Sequence, residues 1–169
     1  MNRKGFLIET AGLFAADQLL KTYAEHRLDK AEERKLAGPL VLRRVHNKGM
    51  CMGILAENQT AVKYLSLAAS GIIAVCQTAI SFRRKGFWKK QGLALMSSGA
   101  WSNTFDRFVR GYVVDYIGFS VKDHEIAKIT YNLGDFLLAA GAAVLSLCSV
   151  FSPRDKKRQK RECERNKGA

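Results

Sequence analysis

The sequence predicts a mainly α, polytopic membrane protein with four transmembrane helices and a small outward-facing β-structure. Three observations lead there. Residues 64 to 82 and 136 to 153 contain no Asp, Glu, Lys, Arg or His, and an apolar helix needs roughly 20 residues to cross a hydrocarbon core of about 30 Å while satisfying its own backbone. Residues 5 to 24 and 91 to 108 are apolar apart from a few charges. More than half of the 28 Lys and Arg fall in three segments: before the first stretch, between residues 83 and 90, and after Pro153.

The chain has 169 residues and a net charge of +13, with 14 Gly and 2 Pro. Low Pro and ordinary hydrophobicity exclude a disordered or collagen-like chain. One domain is expected, over residues 1–153, followed by a basic, disordered cytoplasmic tail at 154–169. A charge this positive would suit a nucleic-acid partner. The tail, however, lacks aromatic interleaving and adjoins a membrane span, so contact with anionic lipids is expected and nucleic acid is not.

The first span, 5–24, follows Arg3 and Lys4 and carries Glu9, Asp17 and Lys21. A cleaved signal peptide is disfavoured, because Glu9 interrupts the apolar run and the small residues at Ala15 and Ala16 lead straight into Asp17. The second span, 62–82, is followed by the basic turn Arg83, Arg84, Lys85, Lys89 and Lys90, which leads to the third, 91–108. The fourth is 131–151. An even number of spans puts both termini on one side, and the excess of Lys and Arg makes that side cytoplasmic. Segments 25–57 and 109–130 then face outward. Within them LVLRRVHN and RGYVVDYIGF have strand character and are bounded by Gly38, Pro39, Gly111 and Gly118. Two dispositions fit residues 25 to 35: part of this small sheet, or a helix lying along the membrane surface. Gly71, Gly99 and Gly141 are expected to allow close helix approach.

Polar residues at membrane depth carry the functional signal, because a charge there costs at least about 2.5 kcal/mol on insertion scales. Asp17 and Lys21 are four apart and share a helix face. Asn103, Asp106 and Arg107 end the third span, Asp115 lies in VVDYI, and Asn132 and Asp135 open the fourth. All gather at the outer end of the bundle. Two carboxylates in a partly dry site do not both ionise, so one keeps a proton while the other takes one from water. That is aspartyl hydrolase chemistry, which requires neither metal nor covalent intermediate. Cys51, Cys76, Cys148 and Cys163 have no metal or redox spacing. His46 and His124 read as surface residues, and no metal or cofactor is expected.

These residues bring a family into view. The motifs DQLLK at Asp17 to Lys21, NKGMCMGIL from Asn47, SSGAWSNTFDRFVRGYVVDYI from Ser97 and YNLGD from Tyr131 resemble those of lipoprotein signal peptidase, or signal peptidase II. The resemblance implies four membrane helices with an outward β-cradle and an interfacial helix. It implies a bacterial inner-membrane aspartyl endopeptidase, active at the outer face, that removes the signal peptide from diacylglyceryl-modified prolipoproteins before the lipidated cysteine. By position it makes Asp115 and Asp135 catalytic. Asn47, Asn103, Arg107 and Asn132 become substrate-binding or dyad-supporting residues, and Asp106, Asp17 and Lys21 structural ones. Departures from the family pattern are Met50, Cys51 and Met52 after Asn47, Ser98 and Ser102 where Gly is usual, and Gly134 in place of Ala before Asp135. They are compatible with a divergent paralogue, and Gly134 is expected to loosen the start of the fourth helix.

Other readings of these residues stay open. Asp17 and Lys21 read as a structural ion pair rather than a catalytic one. Arg107 fits an internal salt bridge with Asp106 and a substrate contact equally. A monomer is expected, with prolipoproteins and lipids as partners. The alternative function is a non-catalytic membrane protein of the same fold that binds lipoproteins or signal peptides. A transporter fits less well, because the polar residues cluster at one interface instead of crossing the membrane.

Overall fold

The computed structural model describes residues 3–29, 32–49, 57–83, 85–120 and 129–151. In chain order the elements are helix α1 (Arg3–Arg27), strands β1 (Arg34–Ala37) and β2 (Leu40–Asn47), helices α2 (Gln59–Ser81) and α3 (Phe87–Val109), strands β3 (Val113–Phe119) and β4 (Thr130–Tyr131), and helix α4 (Leu133–Val150). The architecture is mainly helical with one small antiparallel sheet. The expected tail, Cys163, His124 and the run Met50 to Met52 lie outside the described residues.

Among the described residues two helices, α2 and α4, are by length and composition apolar enough to cross a membrane. α2 begins where the Asn58 side chain accepts the Ala61 N–H, satisfying one of the first-turn donors that have no intrahelical acceptor. It buries only the stripe Val62, Ser70 and Gln77, while Leu65, Ile72 and Val75 stay exposed. A helix that exposes its apolar side and buries its polar one suits a hydrocarbon solvent. The same inversion holds along α1 and α3, where Asp17, Lys21, Ser102 and Asp106 are fully buried while Leu7, Ile8, Leu19 and Phe105 are exposed.

α3 is the central helix. Its buried face carries Gly92, Ala94, Ser97, Ser98, Gly99, Ala100, Ser102 and Asn103, residues small enough for backbones to approach. Against α4 the approach is at its tightest. A methyl group on Gly99 would lie 2.2 Å from the Gly134 carbonyl oxygen, and one on Gly141 would lie 2.5 Å from that of Gly92. The two glycine pairs are two helical turns apart and lock α3 antiparallel to α4. The expectation for Gly71 fails, since nothing lies within 4 Å of a Cβ placed there.

The sheet has the order β1-β2-β3-β4, each neighbouring pair antiparallel. It crosses the ends of α1, α3 and α4, resting on Ala24 and Leu28 through Val114 and Tyr116. Gly111, at φ 82°, turns the chain out of α3 into β3 in a conformation other residues adopt only with strain. The interfacial helix at 25 to 35 is not seen in the described residues: α1 ends at Arg27 and Arg34–Ala37 is a strand. Pairing with β2 supplies this segment with backbone partners that a surface helix would have had to make internally.

Candidate active site

β3 delivers Asp115 and the first turn of α4 delivers Asp135. They meet at Asn132, the N-cap of α4. The Asn132 Nδ2 donates to Asp115 Oδ1 at 2.6 Å, and its Oδ1 accepts the Asp135 N–H at 3.1 Å. In return the Asn132 backbone N–H donates to Asp135 Oδ2 at 3.1 Å, completing a capping box. This box orders the start of the helix that Gly134 was expected to loosen.

Each carboxylate has a second amide donor. Asn47 Nδ2 reaches Asp115 Oδ2 at 3.0 Å. The register makes this possible, because Val45 faces Asp115 and Asn47 faces Val113, which puts the Asn47 side chain diagonally across the ladder from Asp115. Asn103 Nδ2 donates to Asp135 Oδ1 at 2.9 Å. Asp115 is 3% exposed. Burial first, and then the neighbouring Asp135 charge, push its carboxyl up to about 7, against the pull of the two amide donors. A proton bound here belongs to the pair and not to either residue, and the upward shift of Asp115 favours its retention toward neutral pH.

Behind Asn103 lies a buried ionic network. Lys21 Nζ donates to Asn103 Oδ1 at 2.7 Å and to Asp17 and Asp106 at 2.9 and 3.0 Å. Because an ammonium only donates, it holds the Asn103 amide with oxygen inward and NH2 toward Asp135. Ser102 joins the network by donating to Asp17 and accepting from Gln18 at 2.8 Å. Asp106 also pairs with Arg110 and accepts the Val114 N–H at 3.3 Å, tying α3 to β3.

Asp17 and Lys21 pair as expected. The internal salt bridge between Asp106 and Arg107 does not form: adjacent helical residues point about 100° apart, and Asp106 turns to Lys21 and Arg110. Arg107 instead donates to the carbonyl oxygens of Asn103 and Gly49 at 3.2 and 3.1 Å, and its buried Nε has no hydrogen-bond partner among the described residues. His46 is half-buried, stacked on Tyr112 with ring centroids 4.0 Å apart and bonded to Glu25 at 3.0 Å.

The carboxylates open onto a cleft of about 730 Å³. α2 contributes Ser66, Ser70 and Ile73, α4 contributes Phe136 and Leu138, and Asn47, Asn103 and Arg107 surround the acids. α2 and α4 both pack on α3 and scarcely on each other, so the cleft runs between them. Among the described residues no group of three His, Cys, Asp or Glu side chains could hold a metal ion.

A family model described as signal peptidase II matches residues 10–151. The chain belongs to the signal peptidase II family. Lipoprotein signal peptidases from Brucella ovis and Brucella abortus are each 31% identical to it over 139 residues, covering 78% of this chain and 80% of theirs. Two solved structures share its fold, each described as a bacterial membrane enzyme determined by the in meso method. The one at 2.3 Å resolution has a TM-score of 0.74 at 17% identity, with 87% of this chain and 88% of that chain covered. The one at 1.9 Å has a TM-score of 0.72 at 17% identity, with 88% and 94% covered. A signal peptidase II is a protease and an integral membrane protein, and its expected substrate class is the prolipoprotein. The expected Asp115, Asp135, Asn47, Asn103 and Asn132 come together in one constellation. No site role was expected for Tyr116, Ser102, Gln18 or Arg110; their sequence signal is their place inside DQLLK and SSGAWSNTFDRFVRGYVVDYI, where Ser102 stood out only as a departure from Gly.

Proposed function

We propose that this chain is an aspartic endopeptidase that cleaves diacylglyceryl-modified prolipoproteins immediately before the lipidated cysteine, with Asp115 and Asp135 as its catalytic pair. The convergence of both carboxylates on Asn132, at the edge of a cleft between α2 and α4, carries the reading. The protonated carboxyl of the pair hydrogen-bonds the scissile carbonyl oxygen, and the ionised one takes a proton from a water molecule as its oxygen attacks the carbonyl carbon. Collapse of the tetrahedral intermediate breaks the C–N bond, and the leaving amine takes up a proton from the pair. Asn47, Asn103 and Asn132 hold the carboxylate oxygens with donors that carry no net charge, so the shared proton is retained. Arg107, which lines the cleft beside the pair, binds a substrate carbonyl.

Four spans with both termini cytoplasmic and the pair at the outer face complete the proposal. Its support is that Lys4, Arg83, Lys85, Lys89 and Lys90 belong to the bundle end opposite the sheet, as the excess of basic residues on the cytoplasmic side requires. A cleft between two lipid-facing helices lets a membrane-held signal peptide enter sideways, and a basic tail beyond residue 153 would rest on anionic lipids. The protein is read as a monomer with no cofactor. Incubating the purified protein in detergent with a diacylglyceryl-modified precursor peptide tests the reading. Cleavage before the modified cysteine is expected, and Asp115→Asn or Asp135→Asn abolishes it while the variant still inserts. Normal cleavage by either variant refutes the dyad, and peptide binding without cleavage by the unaltered protein favours a non-catalytic role.

A further inference from the structure

We propose that Tyr116 is a positioning residue, whose hydroxyl closes a hydrogen-bonded ring that fixes the separation of the Asp115 and Asp135 carboxylates. The proposal rests on the dyad reading above. The Tyr116 hydroxyl accepts the Leu133 N–H at 3.1 Å and donates to Asp17 Oδ1 at 3.2 Å. Through these two bonds one side chain of β3 is tied to α1 and to the first turn of α4.

The ring can be followed atom by atom. From Tyr116 it passes to Asp17, from Asp17 to Lys21 at 2.9 Å, from Lys21 to Asn103 at 2.7 Å and from Asn103 to Asp135 at 2.9 Å. The capping box joins Asp135 to Asn132, and Asn132 donates to Asp115 at 2.6 Å. Asp115 is the residue before Tyr116, so the backbone of β3 closes the loop. Four elements contribute, and within such a network each bond orients the next.

The Leu133 N–H belongs to the first turn of α4 and has no intrahelical acceptor. Removing the Tyr116 oxygen leaves that donor unsatisfied, two residues before Asp135, and releases one oxygen of Asp17. The ring of Tyr116 is a separate matter. It packs with Ala24, Leu28 and Val114, contacts a Phe would keep. Hydroxyl and packing can thus be separated by substitution.

The test compares full-length Tyr116→Phe and Val114→Ala with the unaltered protein, using the diacylglyceryl-modified peptide and expressing turnover per folded molecule. Tyr116→Phe is expected to lower kcat by about tenfold or more with KM nearly unchanged, because the carboxylates lose their set spacing. The alkaline limb of its pH profile should also move to lower pH, since carboxylates free to separate hold their shared proton less tightly. Of the other charged groups facing the pair, Asp17 on α1 loses the Tyr116 hydroxyl bond but keeps Lys21 and Ser102, while Lys21 on α1 and Asp106 and Arg107 on α3 make no bond to Tyr116. Val114→Ala, which removes packing from the same cluster, should lower the unfolding temperature and leave both readouts where they were. An unchanged kcat in Tyr116→Phe, or a loss that tracks only the folded fraction with the pH limb fixed, overturns the proposal. Failure of the unaltered protein to cleave overturns the dyad reading instead.

Discussion

Gly99→Ala adds one methyl group at the tightest contact between α3 and α4. That methyl would sit 2.2 Å from the Gly134 carbonyl oxygen, where ordinary contact begins at 3.4 Å. The obstructing atom is backbone, so no side-chain rotation relieves it, and the helices must part by roughly 1 Å at this level. Asp135 is the next residue after Gly134, and Asn103 lies one turn beyond Gly99 on the same face of α3. The Asn103 to Asp135 bond, 2.9 Å long, would be stretched past hydrogen-bonding distance. A misplacement of about 1 Å in a catalytic group costs on the order of 100-fold in rate, or about 2.7 kcal/mol of barrier, and overpacking costs a further ~1–3 kcal/mol of stability. The assay is cleavage of the lipid-modified peptide alongside thermal unfolding in detergent. Gly71→Ala is the control: nothing lies within 4 Å of its added methyl, so rate and stability should hold. Unimpaired cleavage by Gly99→Ala, or equal damage from Gly71→Ala, would mean that the α3–α4 contact does not set the position of Asp135.

Further outcomes follow from the same geometry. The Asp115 carboxyl is raised from 3.8 to about 7 by burial and the Asp135 charge. The folded state therefore holds a proton that the unfolded chain releases, and this group costs stability progressively as pH rises between those two values, by at most about 4 kcal/mol. Between pH 4 and pH 8 the unfolding temperature of the unaltered protein should therefore fall by more than that of Asp115→Asn, which has no carboxyl there to titrate; an equal fall in both would contradict this. For the same reason cleavage should decline as pH rises through about 7. Lys21→Met strips the fully buried Asp17 and Asp106 of their shared cation, and a loss of about 3–5 kcal/mol is expected in denaturation experiments; an unfolding midpoint close to that of the unaltered protein would count against a structural network. Asn132→Ala removes the capping box and a donor to Asp115 together, so cleavage should fall by well over tenfold. Asn58→Ala, which removes an equivalent cap from α2, should cost about 1 kcal/mol with turnover intact.

Much of the candidate site was legible because ionisable groups are scarce at membrane depth. Asp115 and Asp135 stood out as acids placed where an acid is costly, and Asp17 with Lys21 was readable from a four-residue spacing that helix geometry turns into contact. Partners across elements were not readable. A salt bridge between Asp106 and the adjacent Arg107 was one of two equal readings, although the bonds of Asp106 go to Lys21 on another helix and to Arg110 one turn away. Residues 34–37 became a strand because β2 was there to pair with, which polar residues without periodicity do not announce. Tyr116 sits in an apolar, β-branched run where a tyrosine reads as core, and nothing local hints that its hydroxyl meets both a buried acid and a helix start.

Local composition is enough to place the protein in its class: long apolar runs, basic flanks and a few stranded acids are properties of short segments, set by the cost of placing charge in hydrocarbon. How the acids are joined to one another is a matter of packing. Which amide holds which carboxylate oxygen, which cation orients Asn103, and how close α3 comes to α4 all depend on groups distant in sequence. A hydrogen bond is made or lost within about 1 Å, a tolerance that hydropathy and spacing do not resolve and that Gly99, Gly134 and the Tyr116 hydroxyl set only once the helices are packed.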